Sequence, residues 1–260
     1  MAKKVEPASK GRRSVQGKQA VASARRAGPG RGFWLSVAAI VVVGVGLLAW
    51  QATKPKVTSR TMDPNLPKLK AEGYVIGSPT APVEVVEFAD FECPGCGQFA
   101  TLTEPDIRAK YVNTGLIRMR YMNFMIESHR NTWDASLAAS CANEQGKFWE
   151  MHDALFRDQD KWNSEATSNP KKVMRGMAEA LGLNLSQYDS CIDTEKFRAQ
   201  VQANFQEGIT RGVNQTPTFL IGDKMYPGGL PWDEFKKVVD VELAKHPATA
   251  APADTSKKGK

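Results

Sequence analysis

The sequence predicts an α/β domain with an inserted helical region, preceded by a single N-terminal transmembrane helix. An uncharged apolar segment lies near the N-terminus, at residues 33–50. Residues 83–96 (VEVVEFADFECPGC) have the pattern of a strand that leads into two cysteines and a helix. A short apolar strand at 218–221 precedes a hairpin and a terminal helix. Helical patterns fill the region between these strands, which favours one sheet with a helical insertion.

The N-terminal segment is predicted to anchor the protein in the cell membrane. Residues 1–32 contain nine Lys/Arg and one Glu and are expected to be a disordered cytoplasmic tail. Phe33 to Trp50 is an almost continuous apolar run, which as a helix would be about 27 Å long and would cross a hydrocarbon core. Because the basic residues precede this run, the N-terminus is predicted to be cytoplasmic. The rest of the chain is then extracytoplasmic, in the periplasm or at the outer surface.

Two alternatives to a retained anchor remain open. A cleaved signal peptide has the same apolar character, although here the basic region is long and LLAWQATK lacks a good small-x-small cleavage site. A buried core helix of a soluble protein is disfavoured by the length of the run and the charge asymmetry around it.

The charge of the chain is unevenly distributed. The formal net charge is +7, yet residues 73–245 contain 18 Lys/Arg and 24 Asp/Glu. The predicted folded domain is therefore mildly acidic and has no basic surface to neutralise phosphates. Nucleic-acid binding is not expected.

The predicted elements follow in order after the anchor. Residues 51–72 contain three prolines and no periodicity, which predicts a linker, with the fold beginning near Gly73. A strand is predicted at about 83–90, a helix from Gln98 to Val112, and a second strand at 116–124.

A helical insertion is predicted at about 127–212, and the sheet resumes after it. Its helices are marked by Trp133, Leu137 and Cys141; by Phe148, Met151, Leu155 and Phe156; by residues 171–181; and by the stripe Phe197, Val201, Phe205 and Ile209, interpreted as core packing. A hairpin then joins 218–221 to 224–226, a helix covers 231–244, and 246–260 is expected to be a disordered tail.

The Cys93-Pro94-Gly95-Cys96 motif predicts redox chemistry. At a strand end and helix start, unpaired backbone N–H groups and the helix dipole favour a thiolate at Cys93. Cys96 is close enough to form a disulfide with it, which gives a reversible two-electron couple. A purely structural disulfide is the alternative. A zinc site would need a second ligand pair, and the other cysteines and the histidines form no such cluster, so no metal is predicted.

The two remaining cysteines, Cys141 and Cys191, are predicted to form a structural disulfide. Export favours disulfides, and the four cysteines are an even number. A loop of about fifty residues closed by this bond would stabilise the fold by roughly 4 kcal/mol in the loop-entropy treatment. The alternative is a pair of buried free thiols.

Three segments together resemble the DsbA-like thiol–disulfide oxidoreductases, a branch of the thioredoxin fold with a helical insertion. They are VVEFADFECPGC, QGKFWEMHDALF (145–156) and TPTFLIGDKMYPGG (216–229). The resemblance covers about residues 74–245, and with the single N-terminal anchor the chain is similar to the membrane-tethered bacterial members. The domain is accordingly assigned to 73–245.

The resemblance implies roles for five residues. Cys93 corresponds to the attacking cysteine with a low pKa, and Cys96 to its buried partner. Pro217, preceded by Thr216, corresponds to the cis-proline beside the disulfide; the alternative is an ordinary trans turn. Glu87 matches a partly buried acid that would relay protons to Cys96; the alternative is a solvated strand residue.

The two residues between the cysteines depart from the pattern of the family. Strong oxidases of the family often have histidine there, whereas this chain has Pro94-Gly95. Neither residue supplies a positive charge or a side-chain donor. The backbone N–H groups and the helix dipole alone are therefore expected to stabilise the Cys93 thiolate.

The predicted function is the introduction of disulfides into exported proteins by exchange with a Cys93–Cys96 disulfide. The family implies a quinone-linked membrane thiol oxidase as the recycling partner, and neither an organic cofactor nor a metal is called for. Two alternatives stay open. One is a disulfide reductase or isomerase of the cell envelope, and the other is a non-catalytic binding or chaperone module.

Overall fold

The computed structural model describes residues 30–52, 57–62 and 70–246. Most of the predicted basic tail and nearly all of the predicted C-terminal tail therefore lie outside the described residues. The chain divides into two units, 1–55 and 56–260.

The first unit contains one long apolar helix, α1, over Arg31–Ala52. Its span Arg31–Gln51 has a mean hydropathy of 2.3. Among the residues that the structure describes, it is the one helix long and apolar enough to cross a membrane. It contains the predicted segment 33–50 and extends it at both ends.

The second unit is built around a mixed sheet. Its strands are β1 Arg60–Thr61, β2 Tyr74–Ile76, β3 Val83–Ala89, β4 Ile117–Asn123, β5 Thr218–Ile221 and β6 Lys224–Pro227. Their order across the sheet is β1-β6-β5-β3-β4-β2. The central pair β3–β4 is parallel and the other pairs are antiparallel. β1 and β2 were not among the predicted strands, and β1 lies within the segment interpreted as a linker.

The helical segment after β3 is interrupted. α2 (Pro94–Leu102) and α3 (Glu104–Ile107) are followed by a π-helical turn, Arg108–Val112, where one helix from Gln98 was predicted. Pro105 lacks a backbone N–H and its ring disfavours continuation of the preceding turn, which accounts for the break at Thr103.

Six helices lie between β4 and β5 and one follows β6. They are α4 Thr132–Asn143, α5 Phe148–Arg157, α6 Gln159–Trp162, α7 Pro170–Ala180, α8 Leu185–Asp193, α9 Arg198–Thr210 and, after the hairpin, α10 Trp232–Lys245. The short helices α6 and α8 were not predicted.

Successive side chains of a strand point to opposite faces of the sheet, so the core is divided between the two faces. Val85 packs with Phe99 and Phe235 under α2 and α10, whereas the neighbouring Val86 packs on the opposite face with residues such as Phe124. A third cluster joins the sheet to the insertion through stacked aromatic rings, including those of Phe91 and Tyr121.

The predicted apolar stripe of α9 is wrong at one position. Ile209 is 46% exposed, and the buried face is instead formed by Val201, Asn204 and Gly208. A β-carbon at Gly208 would lie 2.4 Å from the Phe124 ring. The helix therefore packs closely at its glycine on the ring of Phe124, the residue after β4, and Ile209 points away from the core.

Candidate active site

Cys93 lies where the sheet passes into α2. β3 ends at Ala89, and the N–H of Cys93 donates to the Asp90 carbonyl over 3.1 Å, which turns the chain. Cys93 is then the residue before the first helical residue, Pro94, with an extended backbone (φ −71°, ψ 122°). Proline is well suited to this first position because its missing N–H would have no helical partner. The Cys93 thiol thus lies at the helix N-terminus.

The pKa of Cys93 is strongly depressed. The Cys96 thiol, by hydrogen bonding, lowers it from 9.0 to about 5, assisted by the Thr216 hydroxyl and by the N–H groups of Cys96 and Gly95, while burial opposes the shift. The expectation that backbone groups alone stabilise the thiolate is therefore wrong. The second cysteine and the loop before Pro217 supply side-chain donors in the absence of a histidine in the motif.

Cys96 has the opposite environment. Its side chain is fully buried, whereas Cys93 is partly accessible. Burial raises the pKa of the Cys96 thiol well above its usual value, and the hydrogen bond to Cys93 and the charges of Cys93 and Glu87 raise it further. The two thiols thus differ in access and acidity, as an attacking and a resolving cysteine would.

Thr216 and Pro217 lie against the motif. Their peptide bond is cis. The Cys93 thiol donates to the Thr216 carbonyl, with 3.5 Å between Sγ and the oxygen. A β-carbon at Gly95 would lie 3.5 Å from Cδ of Pro217 and 3.7 Å from the Cys93 sulfur. The structure thus brings the two cysteines, Thr216 and Pro217 together from opposite ends of the domain sequence.

Glu87 is a buried acid on β3, with 3% of its surface exposed. A solvated strand position is therefore excluded. Burial raises the pKa of Glu87 well above its usual value; the charge of Glu104 raises it further and the guanidinium of Arg108 opposes the rise. Arg108 bonds Glu104 through Nη2 at 2.7 Å. Glu104 and Arg108 were missed because an i, i+4 pair of opposite charge resembles a surface ion pair in sequence.

Cys141 and Cys191 form a disulfide between α4 and α8, with an S–S distance of 2.02 Å. Both residues are buried, and the bond lies wholly within the helical insertion. The alternative of two free buried thiols does not apply to this structure. Within residues 30–52, 57–62 and 70–246, no group of three or more His, Cys, Asp or Glu is arranged to hold a metal ion.

The role of the Cys96 thiol can be tested by titration. We expect the reduced wild-type protein to show a Cys93 thiolate transition near pH 5 in its absorbance at 240 nm. Cys96→Ala removes the strongest donor to the thiolate, so the transition should move upward by about one pH unit, the loss expected for one charge-assisted hydrogen bond. Cys93→Ser is the control that should abolish the transition. An unchanged midpoint in Cys96→Ala would show that the Thr216 hydroxyl and the backbone groups suffice.

Comparison with known proteins identifies the family. A family model described as thioredoxin matches residues 70–241. Disulfide bond formation protein D of Bacillus subtilis (strain 168) is 28% identical over 188 residues, which is 68% of this chain and 79% of that protein. The crystal structure of oxidised BdbD from Bacillus subtilis superposes with a TM-score of 0.61 and 25% identity, covering 73% of this chain and 100% of that one.

A different type of relative is also similar to this chain. The Na(+)/H(+) antiporter NhaA 1 of Mycobacterium sp. (strain KMS) is 33% identical over 177 residues, which is 66% of this chain. The match covers 27% of the antiporter, so the chain spans about a quarter of the length of such curated relatives. The family match, which includes more than half of the chain, confirms the predicted fold: the chain belongs to the thioredoxin family, and it is similar to the DsbA-like thiol–disulfide oxidoreductases.

Proposed function

We propose that the protein is a membrane-tethered, extracytoplasmic thiol–disulfide oxidoreductase that introduces disulfides into exported proteins. The observation that carries the proposal is the low pKa of Cys93, about 5, beside a buried Cys96. Stabilisation of the thiolate favours the reduced protein, so the Cys93–Cys96 disulfide readily accepts electrons.

The sign of this effect follows from linkage. The pKa of Cys93 in the folded, reduced protein lies below its unfolded value near 9, so the thiolate stabilises the reduced fold fully above pH 9. The stabilisation is lost as the pH falls through 5. At pH 7 part of this stabilisation is present, and it favours oxidation of substrate thiols.

The proposed exchange has two steps. A substrate thiolate attacks the Cys93 sulfur, a mixed disulfide forms, and Cys96 leaves as a thiolate that takes up a proton. A second substrate thiolate then attacks the substrate sulfur of the mixed disulfide, and Cys93 leaves as a stable thiolate. The substrate loses two electrons and gains a disulfide, and the two cysteines retain the electrons. Glu87, whose pKa burial raises well above its usual value, is the proposed relay of that proton to Cys96.

An apolar groove beside the motif supports a protein substrate. It is lined by Phe99, Leu102 and Leu230, together with Gly95, Gln98, Thr103, Gly229 and Pro231. Leu102 is 71% exposed. An exposed leucine at the rim of such a groove is suited to an extended apolar segment of an unfolded chain.

The anchor supports the proposed location. The basic residues that precede α1 would keep the N-terminus in the cytoplasm and place the domain outside it. A quinone-linked membrane thiol oxidase is the proposed partner that restores the disulfide, and the membrane would confine both proteins to one surface.

Mixed-disulfide trapping in cells tests the proposal. Cys96→Ala should accumulate covalent complexes between Cys93 and extracytoplasmic proteins that dissolve on reduction, and Cys93→Ser/Cys96→Ala is the matched control that should form none. Equilibration with glutathione gives the direction of the reaction. A potential near that of DsbA, about −120 mV, supports an oxidase, whereas one near that of thioredoxin, about −270 mV, would support the reductase alternative. Absence of trapped complexes would favour a binding module.

A further inference from the structure

The turn that carries Cys93 is bonded to the helical insertion at every residue from 90 to 93. The Asp90 carboxylate accepts from the Ile126 N–H at 2.8 Å and contacts His129 Nδ1 at 2.8 Å. The Glu92 carboxylate accepts from the N–H groups of Asn131 at 2.7 Å and Ser164 at 2.5 Å. Both acids are buried, so these bonds are shielded from water.

Gln159, the first residue of α6, is the one among these partners that bonds Cys93 itself. Its Nε2 donates to the Phe91 carbonyl at 2.6 Å and to the Cys93 carbonyl at 3.1 Å. Both hydrogens of the amide are therefore used, one on each side of Glu92. Its Oε1 would lie 3.1 Å from a β-carbon at Gly97, so the side chain packs closely on the first turn of α2.

The position of the Cys93 carbonyl bears directly on the thiol. The same oxygen accepts the N–H of Gly97 at 3.0 Å, the first bond of α2. The extended backbone of Cys93 directs its sulfur toward the N–H groups of Gly95 and Cys96, which lower its pKa. A donor that holds this carbonyl therefore also holds the sulfur in the place where the helix start stabilises negative charge.

We propose that Gln159 is a positioning residue for Cys93, through which the helical insertion sets the thiolate character of the active site. The proposal rests on the proposed exchange function and adds a residue outside the thioredoxin elements to its machinery. Gln159 is neutral, so its replacement alters the hydrogen bonds of the turn without removing a charge. Replacement of Asp90 or Glu92 by a neutral residue would remove hydrogen bonds and a carboxylate at the same time, so the two effects could not be told apart.

Two variants of the full-length protein test the proposal. Gln159→Met keeps the length of the side chain and removes both donors; Gln159→Glu keeps the shape, removes the donors and adds a negative charge. We expect the pKa of Cys93, followed at 240 nm, to rise by about one unit in Gln159→Met and by more in Gln159→Glu. The equilibrium with glutathione should move about tenfold toward the protein disulfide, which is about 30 mV for two electrons.

The matched control is Gln202→Met, a solvent-exposed glutamine on α9, which should leave both quantities unchanged. Thermal unfolding of each variant separates positioning from stability. If Gln159→Met leaves the Cys93 pKa unchanged and the glutathione equilibrium constant within twofold of wild type, the proposal is overturned, whether or not the melting temperature falls. Titration of the wild-type protein tests the exchange function separately, because an ordinary Cys93 pKa there would refute that function before any variant is compared.

Discussion

Cys93→Ser is expected to abolish thiol–disulfide exchange, because the remaining thiol cannot replace the one that is lost. A serine hydroxyl does not attack a disulfide at neutral pH. Cys96 is fully buried, and burial raises the pKa of its thiol well above the usual value, which disfavours the thiolate that would attack. Low ionisation and poor access are together expected to lower the exchange rate of the variant by at least about a hundredfold. The measurement is the rate at which each reduced protein forms a mixed disulfide with a disulfide reagent, compared between the wild-type protein and the variant.

Cys96→Ser is the matched control for this experiment. It retains the accessible Cys93 thiolate, so it should still form a mixed disulfide with a disulfide reagent at a rate within about tenfold of the reduced wild-type protein. It should not complete a catalytic cycle, because the resolving thiol is missing. Retention of catalysis by Cys93→Ser would assign the chemistry to another residue and refute the assignment of roles.

Removal of the Cys141–Cys191 bond is expected to have the largest effect on stability. The bond closes a loop with a sequence separation of 50. The loop-entropy treatment gives about 4 kcal/mol for a loop of this length, which for a domain of this size corresponds to a fall of about 10 °C in the melting temperature. We expect this loss when Cys141→Ala/Cys191→Ala is compared with the protein that keeps both cysteines. Both proteins should carry Cys93→Ser and Cys96→Ala, so that no other disulfide forms.

Chemical reduction supplies the control for the double substitution. In the Cys93→Ser/Cys96→Ala background, a reductant breaks only the bond between α4 and α8 and creates no cavity. It should lower the melting temperature by a similar amount. If reduction has no effect while the double substitution destabilises the protein, packing of the two buried side chains, and not the covalent bond, accounts for the loss.

The elements that could be predicted from the sequence are those with a strong local signal. β3 and the cysteine motif form a continuous pattern of strand, turn and helix start. The hairpin β5–β6 has its own turn at Gly222. The strands β1 and β2 carry no such signal, because two or three residues become a strand only through a partner that lies far along the chain.

The surroundings of the two thiols were less accessible to sequence reasoning. Gln159 bonds a carbonyl 66 residues away, and a single glutamine in a polar segment has no pattern that indicates such a contact. Glu104 belongs to a helical pair with Arg108 that is usually exposed, and here it is buried near His152 of α5. The donors to the Cys93 thiolate likewise depend on distances that arise only after folding.

The outer borders of the sheet have a consequence for how the protein meets unfolded chains. β1 contains two residues and β2 three, so each border offers few free N–H and C=O groups. A long, flat border would invite an extended polypeptide to add as another strand and remain there. With such short borders, the proposed exchange is not expected to hold a client by strand addition, which favours its departure after exchange.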